Sequence, residues 1–228
     1  MCDSLPNCIS LADGLALIFD MDGVIVDSNP LHREAWTAFN RRYGLETTGA
    51  MLDRMYGRRN DQIVRDFFGD LPEGEVAARG AAKEEIYREM LASRIEETLV
   101  PGLRPFLDRF RGVPMALATN AEPENVDFVL DRAGLRPYFR VVVDGHQVSH
   151  PKPHPEIYLR AADLLEIAPP NCIVLEDSHA GIAAARSAGM QVIGMRTTHV
   201  NLPGAAIMAD NFCNGILTSW LKAQERAM

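Results

Sequence analysis

"LALIFDMDGVIVDS" (residues 15–28) sets the frame for the whole chain. Five apolar residues run straight into two aspartates, Asp20 and Asp22, one residue apart. An apolar run of that length is too short for a helix and fits a strand covered on both faces, as in a parallel sheet. Carboxylates at the end of such a strand are costly unless something pairs with them. The rest of the chain supplies both the further strands and the partners.

Four more short apolar runs read as buried strands: "PMALAT" (114–119), "RVVVD" (140–144), "NCIVLED" (171–177) and "QVIGM" (191–195). Helical patterns lie between them. "PENVDFVLDRAG" spaces Val126, Val129, Leu130 and Ala133 on one face and stops at Gly134. "HPEIYLRAADLLEI" repeats the pattern with Ile157, Ala161, Leu164 and Leu165, and "HAGIAAARSAG" is small and apolar up to Gly189. Strand–helix alternation predicts an α/β fold, a Rossmann-like parallel sheet covered on both faces. From about 30 to 98 the rhythm breaks and only helices are predicted. "NPLHREAWTAFNRRYG" opens with an Asn29 cap and Pro30 at the first helical position and closes at Gly44. "DQIVRDFFG" and "EVAARGAAKEEIYREMLASRI" also read as helical. The predicted layout is a discontinuous α/β core (13–29 and 99–215), an inserted helical cap (30–98) and terminal segments (1–12 and 216–228). Trp36 and Tyr43 are expected in the cap's own core.

The 228 residues are 47% hydrophobic and 24% charged, ordinary for a globular protein. No run approaches the ~20 apolar residues of a membrane helix. The N-terminus, "MCDSLPNCIS", lacks the pattern of a signal peptide. The four cysteines lack metal-site spacing and are expected as free thiols. A net charge of −8 argues against nucleic-acid or anionic-membrane partners. It leaves room for a small phosphorylated substrate, because a bound divalent cation and a few placed lysines make a locally positive pocket. A cytoplasmic monomer is expected.

The polar residues fall at the strand ends. Strand one ends in Asp20, strand two in Thr119 and Asn120, and strand four in Glu176 and Asp177. After strand three comes "HPKPHPE", with Lys152. In an open parallel sheet, ligands bind beyond the carboxyl ends of the strands. Each element alone has an ordinary reading: a solvated turn, a helix cap, a solvated lysine. The combination, each member at a strand end, points to one site. Clustered carboxylates repel unless a cation sits among them, and hard oxygen ligands suit Mg²⁺ beside a substrate phosphate. A carboxylate there can attack phosphorus, and a second can move the proton of the leaving oxygen.

At these residues the chain resembles the haloacid dehalogenase superfamily, and more narrowly its β-phosphoglucomutase-like branch with a helical cap. The resemblance spans roughly residues 13 to 215 and rests on "DMDGVIVDS", "LATN", "PKPHPEIY" and "LEDSHAGIAAARSAG". It implies Asp20 as nucleophile and Asp22 as general acid/base, with the Asp22 backbone carbonyl on the metal. It implies Asp177 as a direct Mg²⁺ ligand, with Glu176 nearby through water, and Thr119, Asn120 and Lys152 on the transferring phosphate. His32 falls where sugar-phosphate enzymes of the branch carry a cap histidine that couples closure to the acid/base; an exposed helix histidine is the alternative. "YGRRNDQIV" resembles the cap's specificity loop, which makes Gly57, Arg58 and Arg59 candidates, solvated arginines being the alternative. Lys83 resembles a cap lysine of the mutases, with a helix-surface ion pair to Glu84 or Glu85 as the other reading. The mutase arginine that grips a second phosphate is replaced by Asn60. The resemblance therefore implies a Mg²⁺-dependent phosphomonoester hydrolase of a small metabolite, a sugar phosphate foremost, with β-phosphoglucomutase as the alternative.

Overall fold

The computed structural model describes residues 14–56 and 58–224. The five apolar runs are strands: β1 (Ala16–Phe19), β2 (Met115–Ala118), β3 (Val141–Val143), β4 (Cys172–Glu176) and β5 (Gln191–Met195). A sixth, β6 (Ile207–Ala209), extends the edge beside β5. Three residues with an exposed Met208 in the middle are too short a pattern to stand out in sequence. All neighbours pair in parallel, in the order β3-β2-β1-β4-β5-β6.

The strand residues divide by parity between two apolar layers, as a period of two requires. Leu17, Phe19, Met115, Leu117, Ile173 and Leu175 pack on one face; Ala16, Ile18, Ala116, Ala118, Cys172 and Val174 pack on the other. The helices, in chain order, are α1 (Asn29–Arg42), α2 (Gly49–Asp53), α3 (Asn60–Phe68), α4 (Glu73–Ala92), α5 (Ile95–Thr98), α6 (Leu103–Arg109), α7 (Pro123–Arg132), α8 (Glu156–Leu165), α9 (His179–Ser187) and α10 (Gly215–Gln224). Helices α8 and α9 cover the second face; α6, α7 and α10 cover the first, in the same apolar cluster as α1 and α4. The chain from 216, read from sequence only as a terminal segment, forms most of α10 and buries Leu217 and Leu221.

The stretch between β1 and β2 is helical, and the two passages joining it to the sheet run side by side. Asp27 N donates to Thr98 O at 2.7 Å, Val100 N to Ile25 O at 3.1 Å, and Val26 bridges Leu99 antiparallel. Trp36 is buried against Phe39 and Phe67, as expected. Tyr43 is about half exposed and lies under the Arg79 guanidinium instead of in the interior. Cys213 is disulfide-bonded, which corrects the expectation of four free thiols; Cys172 is free and buried. No helix among the described residues is long and apolar enough to cross a membrane.

Candidate active site

Asp20 directly follows β1, Thr119 follows β2, and Asp177 follows β4, whose last residue is Glu176. Strands β1 and β4 are neighbours at the point where the winding reverses, so a crevice opens beyond their ends. After β1 the chain turns tightly, with Gly23 N donating to Val26 O at 2.7 Å. Gly23 has φ +77°, and a Cβ there would overlap the Asp177 carboxylate. Glycine is needed both for the turn and for the approach of Asp177.

Lys152 reaches this crevice from the loop after β3 and is buried. Its Nζ donates to Asp20 Oδ1 and Glu176 Oε1, each at 2.8 Å, and to Ala118 O at 3.1 Å. Glu176 is fully enclosed, and both its oxygens are occupied: Oε1 by Lys152 and Tyr158, Oε2 by the backbone N–H and hydroxyl of Ser178. Burial pushes the Glu176 carboxyl up, but Lys152 and these hydrogen bonds outweigh it and hold the group below its usual range. Burial pushes Asp20 up to about 7 despite Lys152, with Glu176 adding repulsion. Asp177 is also raised well above its usual value, by burial and then by the Glu176 and Asp20 charges. Three buried carboxylates thus share a single ammonium.

Asp22 heads a second network, which runs into the helical insertion. Its Oδ1 accepts from Ser28 Oγ at 2.5 Å and lies 3.3 Å from His32 Nε2. Burial raises the Asp22 carboxyl, but the adjacent His32 and the Ser28 hydroxyl more than offset this and leave it lowered. His32 stacks on Tyr87 at 3.9 Å, and its Nδ1 meets Lys83 Nζ at 2.7 Å. Lys83 is only 2% exposed, so the helix-surface reading fails; it pairs with Glu84 Oε1 at 2.8 Å inside the protein. Glu84 also accepts from Asn60 at 2.7 Å and from Asn125 of α7 at 2.7 Å, and Arg88 holds Asn125 at 2.8 Å. Glu84 therefore links α3 and α4 to α7.

One cavity is lined by the strand-end groups Asp20, Asp22, Asp177, Thr119, Asn120 and Lys152, by His32, Lys83 and Arg58, and by Trp36, Asn60, Glu84, Glu122 and Asn125. Arg58 lines it while bonded to Asp66 at 3.3 Å. Arg59 does not line it; it reaches across to Gly145 O at 3.3 Å. Gly57 lies outside the described residues. Asn29 starts α1 without capping it with its side chain, because its amide donates to Asp177 Oδ2 at 3.3 Å and to Thr198 Oγ1 at 2.5 Å. Thr198 in turn donates to Asp177. Sequence reasoning missed Glu84, Asn125 and Thr198. Only Thr198, shortly after β5, carried the strand-end signal used elsewhere.

A family model described as haloacid dehalogenase-like hydrolase matches residues 15–189. The chain belongs to the haloacid dehalogenase-like hydrolases. Within them it falls in the β-phosphoglucomutase-like branch. It is 35% identical over 183 residues to the fructose-1-phosphate phosphatase of Escherichia coli, covering 79% of this chain and 95% of that protein. It is 29% identical over 189 residues to the β-phosphoglucomutase of Bacillus subtilis, covering 79% and 82%. The crystal structure of a β-phosphoglucomutase from Clostridium difficile superposes with a TM-score of 0.82 at 26% identity, covering 93% of this chain and 99% of that one.

For a haloacid dehalogenase-like hydrolase a divalent cation is implied, and the donor set fits one. Oxygens of Asp20, Glu176 and Asp177 lie within 4.8 Å of one another, all buried, with less positive charge than negative around them. The hydrogen bonds of Glu176 leave Asp20 and Asp177 as the carboxylates open to an ion.

The Glu84 cluster gives a stability prediction. Burial raises the Glu84 carboxyl, but Lys83, His32 and Asn125 outweigh it and lower it from 4.5 to about 2. Its stabilisation is present above pH 4.5 and is lost as the pH falls through about 2. Glu84→Gln leaves the Lys83 charge buried without its partner and is expected to lose about 3 kcal/mol at neutral pH. Denaturant melts across pH should show the gap to the native protein closing on the acid side of that window; a pH-independent gap would contradict the assignment.

Proposed function

We propose that the protein is a Mg²⁺-dependent phosphomonoester hydrolase that acts on a small sugar or polyol monophosphate. Asp20 Oδ attacks phosphorus as the bond to the leaving oxygen breaks, giving an aspartyl phosphate. Asp22 donates a proton to that oxygen and then takes one from the water that releases phosphate. The incoming phosphate charge raises the Asp22 carboxyl and so favours its acid form, while His32 and Ser28 return it to the base. Thr119, Asn120 and Lys152 steady the phosphoryl oxygens. Asp20 and Asp177 would hold a Mg²⁺ ion, which would neutralise charge on the phosphoryl group. The acid/base sits against the insertion through His32 and Lys83, so closure of the cap over the substrate completes the site.

The observation that carries hydrolysis over mutation is the charge balance of the cavity lining. A mutase must hold a second phosphate there. In this cavity Lys83 is neutralised by Glu84 and Arg58 by Asp66, and Glu122, the one acidic side chain of the lining besides Glu84 and the aspartates, contacts His146, so among the described residues no cation of the lining is left over for a second phosphate. Asn60, at the position of the mutase arginine, gives its amide to Glu84. Such a lining suits hydroxyls, which both donate and accept. The similarity to a fructose-1-phosphate phosphatase supports the same class.

A screen of phosphorylated metabolites with Mg²⁺ should show phosphate released from sugar and polyol monophosphates at least tenfold faster than from bisphosphates of the same carbon skeleton. β-Glucose 1-phosphate with a trace of the bisphosphate should give no more than slow isomerisation. Rapid isomerisation with little free phosphate would replace the hydrolase by the mutase.

A further inference from the structure

We propose that His150, His154 and Glu156 form a surface site for a transition-metal cation such as Zn²⁺, separate from the carboxylate cluster of the cavity. Donor atoms of the three residues lie within 4.8 Å of one another. His150 Nδ1 is 2.8 Å from Glu156 Oε2, His154 Nδ1 is 3.8 Å from the same oxygen, and the imidazole centroids are 4.6 Å apart. Both histidines are exposed, so an ion reaches them directly from solvent.

The site is held in place by its backbone. The segment "HPKPHPE" (150–156) carries proline at 151, 153 and 155, which fixes φ at every second residue. Its middle residue, Lys152, is anchored in the interior on Asp20 and Glu176. Its last residue opens α8, and the Glu156 carboxylate accepts the backbone N–H groups of Ser149 at 2.8 Å and His150 at 3.0 Å. The Glu156 N–H donates to His154 Nδ1 at 3.3 Å, which orients that ring; an ion would take His154 through Nε2 or replace this contact at Nδ1. Little beyond side-chain torsions remains to be ordered when an ion binds, and that lowers the entropy opposing it.

Ligand chemistry separates this site from the one in the cavity. Two imidazoles and a carboxylate suit Zn²⁺, Cu²⁺ or Ni²⁺ with water in the remaining positions. Mg²⁺ prefers an all-oxygen set and favours the carboxylates of Asp20 and Asp177. Because Lys152 lies between the two histidines, an ion bound outside stiffens the loop that places the phosphate-side ammonium.

Cu²⁺ is the probe. With excess Mg²⁺ present, one equivalent added to the full chain is expected to give an electron paramagnetic resonance spectrum with nitrogen superhyperfine splitting, displaced by Zn²⁺. The variant His150→Ala/His154→Ala should lose the splitting, and His154→Ala alone should weaken Zn²⁺ binding at least tenfold by calorimetry. No nitrogen-coordinated Cu²⁺ in the native protein would overturn the site. So would an unchanged spectrum in the double variant, which would move the donor atoms to His32 or to the His179–His199 pair, whose rings are 4.5 Å apart.

Discussion

Asp20→Asn is expected to reduce phosphate release at least about 10⁴-fold while leaving the fold intact, because it removes the attacking oxygen and little else. The amide keeps the shape of the carboxyl, and Lys152 keeps Glu176 as a partner. In the metal-free protein the exchange relieves repulsion, since burial already pushes the Asp20 carboxyl from 3.8 up to about 7. A carboxyl raised by folding contributes stability that is complete below its unfolded value and lost as the pH rises through its folded one. Without Mg²⁺ the native protein should therefore lose stability between about pH 4 and 7, and Asp20→Asn should lose less. The variant should melt at an equal or higher temperature than the native chain at pH 8. Phosphate release within tenfold of native would remove Asp20 from the chemistry altogether.

Lys152→Met carries the largest expected effect on stability. Lys152 is 3% exposed and is the one side-chain ammonium bonded to Asp20 and Glu176 among the described residues. Without it, Asp20, Glu176 and Asp177 are left as three buried carboxylates. Breaking a buried pair by removing one partner costs about 3–5 kcal/mol. For a chain of this size that is a fall of roughly 10 °C in melting temperature. Activity should fall at least about 100-fold, because the phosphoryl oxygens lose a fixed positive charge. Mg²⁺ should restore more stability to this variant than to the native protein, since it binds only the folded cluster. Thermal melts with and without Mg²⁺ measure this. An equal Mg²⁺ effect on both proteins would mean that the ion and Lys152 do not share the carboxylates.

The groups at the strand ends were legible in the sequence because each followed an apolar run that could only be a buried strand. Asp20, Thr119, Glu176 and Asp177 needed no knowledge of packing to be placed on one edge. Lys83 entered only through its resemblance to a mutase lysine, and the burial of Lys83 and Glu84 was opaque for the opposite reason. Two adjacent charges in a helix rich in Glu and Arg resemble a solvated face, and only the docking of α4 against α1 and α7 encloses them. Asn125 reads as an ordinary residue in the first turn of α7, since its partner Glu84 lies 41 positions away. Spacing alone does not show that His150, His154 and Glu156 face one another, because a cluster depends on side-chain direction.

The paired passages at Asp27–Thr98 and Ile25–Val100 make the sheet indifferent to what lies between them. The chain leaves and returns at nearly the same place, so the core sees a closed connection whatever its contour length. The entropy of closing such an excursion grows only with the logarithm of its length. The length of the helical stretch therefore costs the register of β1 and β2 little, although α1 and α4 share one apolar cluster with α6, α7 and α10. Its constraints come from that shared apolar packing and from polar contacts such as Arg59 on Gly145 and Glu84 on Asn125. A transplant that keeps the paired passages but omits those contacts should keep the strand register while exposing apolar surface on α6 and α7, so its thermal melt should fall below that of the native chain.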